Sequence, residues 1–215
     1  MSETTAPTSP SQFDAKAQGW DDDPRKVLVA TTIAKAMLAA LNLSADDVVL
    51  DYGAGTGLVS LELAAAAGKV VAAEPSEGMY AALCAKVAGR GVHNVLPVRW
   101  TAQDATPLPE RPTAITGAMV LHHVEDVPQA ARVFADLLPS GAPVAFADLD
   151  LDGGAFHGPD QHAFHQGFDR DWLRQVFEQA GFAAIAFSEV MRVRKPTADG
   201  SEGVFPIFLM TGRKA

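Results

Sequence analysis

The feature that most constrains this chain is an apolar run that ends in a carboxylate and then breaks into closely spaced glycines: Val48-Val49-Leu50-Asp51-Tyr52-Gly53-Ala54-Gly55-Thr56-Gly57. A helical pattern begins directly afterwards, at Leu58. A buried strand feeding a glycine turn and a helix N-terminus is how α/β folds bind adenosine-bearing ligands. The glycines permit positive φ and remove the Cβ atoms that would hold the backbone away from the ligand. Their spacing narrows the choice. A dinucleotide fingerprint needs Gly-x-Gly-x-x-Gly, but its third glycine would fall on Leu58, and no Gly-Lys-Ser/Thr follows to make a phosphate-cradling P-loop. A ligand with a ribose and no pyrophosphate suits what remains.

The segment Asp51 to Gly57 resembles motif I of the class I S-adenosylmethionine-dependent methyltransferases, of the small-molecule type. That resemblance implies a Rossmann-like, doubly wound α/β fold with a mostly parallel seven-stranded sheet and an antiparallel last strand. It also implies S-adenosyl-L-methionine as cofactor, with Asp51, Gly53, Ala54, Gly55 and Gly57 in its binding loop. Glu74 ends the apolar run Val70-Val71-Ala72-Ala73, 21 residues after Gly53, near the spacing at which an acid reaches ribose hydroxyls. Ser76 and Glu77 would equally explain it as an acid beside a helix N-cap. By resemblance, Pro75 and Met79 pack against the adenine. Asp104, beyond the run Val95 to Trp100, accepts from the adenine amino group, with the Ala105 amide facing the ring. Taken alone, Asp104 reads as a loop residue. The run Ala118-Met119-Val120-Leu121-His122-His123-Val124 marks a fourth strand end, where Leu121 joins the cofactor site.

Strand and helix patterns alternate along the chain. Strands are expected at 48–52, 70–74, 95–100, 114–121, 142–149, 182–190 and around 206–212, and helices at 57–67, 76–89, 127–138 and 169–180. A first helix from Pro24 carries Val27, Ala30, Ile33, Ala34, Met37, Leu38 and Leu41 on one stripe. Short, uniformly apolar strands between helices indicate a parallel sheet covered on both faces. Pro206 requires the last strand to begin there or to carry a bulge. Residues 1–11 are expected to be a disordered tail and 12–215 a single domain.

The net charge of −9 disfavours nucleic acid as a partner. No uncharged apolar run reaches 18 residues, and the N-terminus lacks a basic, apolar leader, so neither a membrane span nor a secretory signal is expected. The single cysteine, Cys84, reads as a core thiol on the buried side of its helix and fits a reducing, cytoplasmic setting. The basic cluster Arg192-Val193-Arg194-Lys195 reads as a solvated strand end.

Methyl transfer from a sulfonium is an in-line displacement on an activated carbon, so the protein chiefly aligns the nucleophile and excludes water. A base is needed only where the acceptor, a small molecule, must lose a proton. His122 and His123, at the fourth strand end, are the candidate catalytic residues, and His157, His162 and His165 are further imidazoles able to titrate near neutrality. Residues 150–168 lack helical period and are rich in aromatics and histidine. Loops this long are usually functional or disordered. Following the fifth strand, this one is expected to hang over the pocket, with His157, His162 and His165 facing the acceptor. His162 and His165, three apart, could form a metal site with His157, but with no clustered Cys and no carboxylate partner evident none is assigned, and metal binding by this loop stays open. Phe13-Asp14-Ala15-Lys16-Ala17-Gln18-Gly19-Trp20-Asp21 resembles the Phe-Asp-x-x-Ala-x-x-Trp-Asp opening of many small-molecule methyltransferases, a lid that would bring Trp20 to the acceptor pocket; an ordinary surface helix is the alternative. The acceptor atom (O, N, C or S) and the oligomeric state stay open, as do cofactor binding without methyl transfer and other chemistry with the same cofactor.

Overall fold

The computed structural model describes residues 11–104, 106–157, 163–197 and 200–215. The expected tail lies outside the described residues except for Ser11, which opens a short helix α1 (Ser11–Asp14). Seven strands form one sheet: β1 (Val48–Tyr52), β2 (Lys69–Ala73), β3 (Val95–Val98), β4 (Ala114–Ala118), β5 (Pro143–Leu149), β6 (Phe182–Pro196) and β7 (Glu202–Lys214). Their order is β3-β2-β1-β4-β5-β7-β6. The first five are parallel, and β7 inserts antiparallel between β5 and β6.

The remaining helices are α2 (Pro24–Leu41), α3 (Leu58–Leu63), α4 (Glu77–Gly89), α5 (Val127–Leu137) and α6 (Arg170–Gln179). Because successive side chains of a strand face opposite ways, adjacent apolar residues serve two cores. Leu50, Val71, Ile115 and Phe146 pack with Phe134 of α5 and Phe177 of α6. Val49, Val70, Ala114 and Ala145 pack with Ile33 of α2, Leu63 of α3 and Leu83 of α4. Each fully buried side chain of this size contributes roughly 1.5–3 kcal/mol, which is why uniformly apolar strands are tolerated only with helices on both faces. Helix α2 starts where Asp23 accepts from the Arg25 amide at 2.9 Å and Pro24 occupies the first turn, and it ends at Asn42 in the left-handed region. No helix among the described residues is long and apolar enough to cross a membrane.

Four expectations are corrected. The run 114–121 is not one strand: β4 stops at Ala118, Met119 takes φ of 54°, and a 3-10 turn covers Leu121–His123. The left-handed residue swings the chain out of the sheet one position after its last parallel pair with β5. The final two strands are longer than their apolar cores because they form a hairpin. Pro206 neither starts β7 nor sits at its own bulge; it pairs with Arg192, and the register shift lies on the partner strand between Glu189 and Met191. The Pro206 carbonyl accepts from Asp150 N at 3.2 Å, so the position of its missing N–H also faces the β5 side. That ladder has already ended at Leu149–Ile207, and β6 loses no bond. Cys84 is only partly buried, beside the buried Leu83.

Past Ile207 the hairpin leaves the sheet as a two-stranded ribbon, Glu202–Pro206 against Arg192–Pro196.

Candidate active site

The glycine turn is built by backbone geometry. Gly53 N and Ala54 N both donate to Ala73 O, at 2.9 and 3.0 Å, tying the turn to the end of β2. Gly53 has φ of 71°, and a Cβ there would lie 2.2 Å from Val120 Cγ2. At Gly57, φ is 84° and a Cβ would lie 2.3 Å from Leu83 Cδ1. Neither position accepts a side chain, for steric and conformational reasons at once.

Two carboxyls flank this turn. Asp51 is buried and accepts from Ser60 Oγ at 2.5 Å and Thr116 Oγ1 at 3.1 Å. Burial outweighs those bonds and pushes its pKa up to about 6. Glu74 reaches across from the end of β2, accepting from Gly55 N at 2.7 Å on one oxygen and from Ser76 N at 2.8 Å on the other. Burial raises its pKa, opposed by those two amides. The carboxylate thus braces the glycine turn against the start of α4, where Ser76 caps the helix through Met79 N at 3.2 Å. Of the two sequence readings of Glu74, the helix-cap neighbour and the ligand-facing acid, the geometry contains both features.

A cavity of about 1530 Å³ opens over the carboxyl ends of the strands, where ligands bind in such sheets. Single drug-sized sites occupy about 300–1,000 Å³, so there is room for two ligands. Asp51, Gly53, Ala54, Gly55, Glu74, Pro75 and Met79 all line it, as do Trp20, His122, His123, His157 and His165. Three expected residues are not brought there. Gly57 caps α3 from behind the turn. Leu121 is buried in the core, because the 3-10 turn rotates it inward and presents Met119 and Val120 instead. Asp104 is exposed and accepts from Thr101 N at 2.6 Å, while Thr101 and Gln103 line the cavity. Ala105 and His162 lie outside the described residues.

The segment 11–22 folds over the cavity mouth. Asp14 accepts from Ser76 Oγ at 2.6 Å and Gly78 N at 3.0 Å, and these bonds hold its carboxyl below the ordinary range. A Cβ on Gly78 would meet the Asp14 backbone at 2.6 Å, so only glycine allows this contact. Asp21 accepts from Thr56 Oγ1 at 2.7 Å and pairs with Lys86. Phe13 stands edge-on to His123, centroids 4.9 Å apart, and to Trp20 at 6.1 Å.

Opposite the glycine turn, His122 is buried with its Nδ1 2.6 Å from Asp148 Oδ1. Asp148 is wholly buried and also receives Leu149 N at 2.8 Å and His122 N at 3.3 Å. Facing a carboxylate, Nδ1 carries the proton, which leaves Nε2 as the acceptor nitrogen of the neutral ring. His123 and His157 stack around it, with centroids 4.1 and 4.9 Å from that of His122. His165 faces another way: its Nε2 meets Val124 O at 2.9 Å, and its amide donates to His122 O at 3.1 Å. It fastens the long β5–α6 connection to the 3-10 turn.

Asp148 was not singled out by the sequence, although an acid inside the run Val144–Leu149 was a signal. In the basic cluster at the end of β6, Arg192 and Arg194 stand in solvent as expected, whereas Lys195 is half-buried. Val193, Arg194, Lys195 and Pro196 line the cavity, and Lys195 Nζ sits 4.4 Å over the Phe156 ring while donating to Phe156 O. Its pKa is lowered, first by burial.

Residues 25–186 match the model of a methyltransferase domain. A curated relative, an uncharacterized methyltransferase of Geobacillus kaustophilus (strain HTA426), is 29% identical over 206 residues, covering 86% of this chain and 93% of its own. Among solved structures, a SAM dependent methyltransferase from Aquifex aeolicus superposes with a TM-score of 0.69 at 18% identity, over 94% of this chain and 98% of its own. The YcgJ protein from Bacillus subtilis does so with a TM-score of 0.70 at 17% identity, over 84% and 97%. These two likenesses concern the fold.

Proposed function

The chain belongs to the class I S-adenosylmethionine-dependent methyltransferases, and from that premise we propose that it methylates a small molecule held beneath the segment 11–22 and the β6–β7 ribbon. The observation that carries this reading is one cavity lined by a glycine turn, by Glu74 and by the imidazoles of His122, His123 and His157. The cofactor, when bound, supplies a sulfonium-activated methyl group. The residues present fit it: Gly55 leaves open space where a Cβ would stand, Glu74 accepts hydroxyl protons, and Pro75 and Met79 offer an apolar bed for adenine. Asp51 and Ala54 complete the lining on this side, and the places that the resemblance gave to Gly57, Asp104 and Leu121 fall to Thr101, Gln103, Met119 and Val120.

On the acceptor side, Trp20 and His157 enclose the acceptor, His165 lines the same cavity while its ring is held to Val124 O, His162 is assigned there too, and His122 and His123 flank the place where the acceptor loses its proton. The net charge of −9 speaks against a nucleic-acid acceptor. The lone cysteine suits a cytoplasmic setting, and residues 12–215 act as one domain. Turnover of labelled methyl groups against a metabolite panel tests the reading; cofactor binding with no transfer to any thiol, amine, hydroxyl or carbon acid would sink it.

Trp20→Ala is expected to lower turnover about tenfold while leaving cofactor affinity within about threefold, since loss of positioning costs rate more than binding. Equal losses in both would place Trp20 on the cofactor instead.

Cofactor affinity should also fall with acidity. Asp51 and Glu74 both hold their protons more tightly than in the unfolded chain, and both are needed ionised, one facing a cationic ligand and one accepting from hydroxyls. Binding therefore expels protons, and affinity drops about tenfold between pH 7 and pH 5 as Asp51 titrates about pH 6. The same sign makes Asp51 oppose folding of the unliganded chain as pH rises from 3.8 to about 6. Calorimetry at pH 6 in buffers of different ionisation enthalpy reads the proton release directly, and a value of zero would refute the linkage.

A further inference from the structure

We infer that His122, His123 and His157 form a site for a divalent transition metal of the zinc class, with an open coordination position toward the acceptor. The inference deepens the reading above and rests on it only for the use of the site, not for its existence. One ring nitrogen of each histidine lies within 4.8 Å of the others. Tetrahedral zinc with bonds of 2.0–2.1 Å needs nitrogens about 3.4 Å apart, so closure asks each ring to move by about an ångström. The side-chain set is the right one. Neutral imidazole suits zinc, and three protein ligands plus one open position is the pattern of catalytic sites, whereas structural sites close all four.

The surroundings are also those of a metal site. A metal-bound histidine characteristically gives its other N–H to a carboxylate, which fixes tautomer and ring direction. Here Asp148 holds His122 Nδ1 at 2.6 Å and is itself fixed by the Leu149 and His122 amides. His157 is delivered by a tight turn: Asp152 accepts from Gly154 N at 2.9 Å and Phe156 N at 2.6 Å, and Phe156 packs edge-on against Phe205 of β7, 5.3 Å between centroids. Two ligands come from a 3-10 turn and one from a braced loop, and all three line the cavity. An acceptor hydroxyl or thiol in the open position would form a bond to the metal through oxygen or sulfur and release its proton to water, so the histidines would act as ligands. The sequence concealed this set, because the expected trio paired His157 with His162 and His165, and His165 points away.

The test uses the tag-free full chain, stripped with a chelator and titrated with Zn2+ by calorimetry and with Co2+ by visible absorption. One equivalent should bind, with the intense absorption of tetrahedral cobalt. His157→Ala should weaken binding at least tenfold, and Asp148→Asn, which retains all three imidazoles, about 10–100-fold. Absence of binding to the wild type, or equal binding by wild type and His157→Ala, would mean a hydrogen-bonded imidazole cluster and overturn the inference. Cofactor affinity of the stripped chain is measured in parallel. Its loss together with intact Zn2+ binding would instead fault the glycine-turn assignment.

Discussion

Glu74→Ala is expected to weaken S-adenosylmethionine binding by about 2–4 kcal/mol, roughly 30- to 1,000-fold, because ribose hydroxyls lose a charged acceptor in a partly dry site. The structure adds a second reason for the size of the effect. Each Glu74 oxygen already takes one amide, from Gly55 or Ser76, and keeps a lone pair for a ligand. Removing the carboxyl therefore deletes the ligand contact and unlatches the glycine turn from α4 together. Glu74→Gln separates the two: it keeps one acceptor oxygen but sets an amide group against a backbone N–H, so it should fall between wild type and Ala. Thermal unfolding should still show one cooperative transition, since the two cores lie beneath the strand ends. An affinity change below threefold for the alanine variant would remove Glu74 from the cofactor site.

His122→Asn should lower kcat by about 10²–10⁴ with cofactor affinity nearly unchanged. Asparagine is chosen because its amide can still donate to Asp148; alanine would strand a buried carboxylate and confuse lost function with lost stability. His122 is carried by the 3-10 turn after β4 and Glu74 by the end of β2, so the two substitutions should separate, one in dissociation constant and one in rate. Turnover within threefold of wild type would exclude His122 from the transfer step, whether as base or as ligand. Single-turnover assays with saturating cofactor are the appropriate measurement, since they isolate chemistry from product release.

The glycine turn and its bracing acid were legible because their determinants are local. Gly53, Gly55 and Glu74 act through short-range backbone geometry, and a strand, a turn and an acid at fixed spacing leave few alternatives. The seven-stranded, mostly parallel sheet with its antiparallel last strand followed from the same resemblance. The acceptor half was not legible, since its contacts are long-range. Asp148 and His122 are 26 residues apart and meet only because β4 and β5 are neighbours. Leu121 illustrates a related failure: hydrophobicity alone does not say whether an apolar run stays in a strand, and one left-handed residue, Met119, reverses which side chains face the ligand. The β6 cluster was legible only in part. Arg192 and Arg194 mark the wet face of the strand, but the sequence does not reveal that Val193 and Lys195, on its other face, turn toward a cavity.

The ribbon beyond Ile207 has a consequence for how the chain can change. Its pairs, from Arg192–Pro206 to Pro196–Glu202, make no ladder bond to β5. Residues added or removed two at a time near its tip would shorten or extend one wall of the cavity while every β5–β7 pair kept its register. Altered specificity can thus arise by trimming an appendage, with no renegotiation of the sheet that carries Asp51, Glu74 and Asp148. A chimaera with a foreign ribbon tip should keep its grip on the cofactor and choose a different acceptor, which makes this arm the natural handle for redirecting the enzyme.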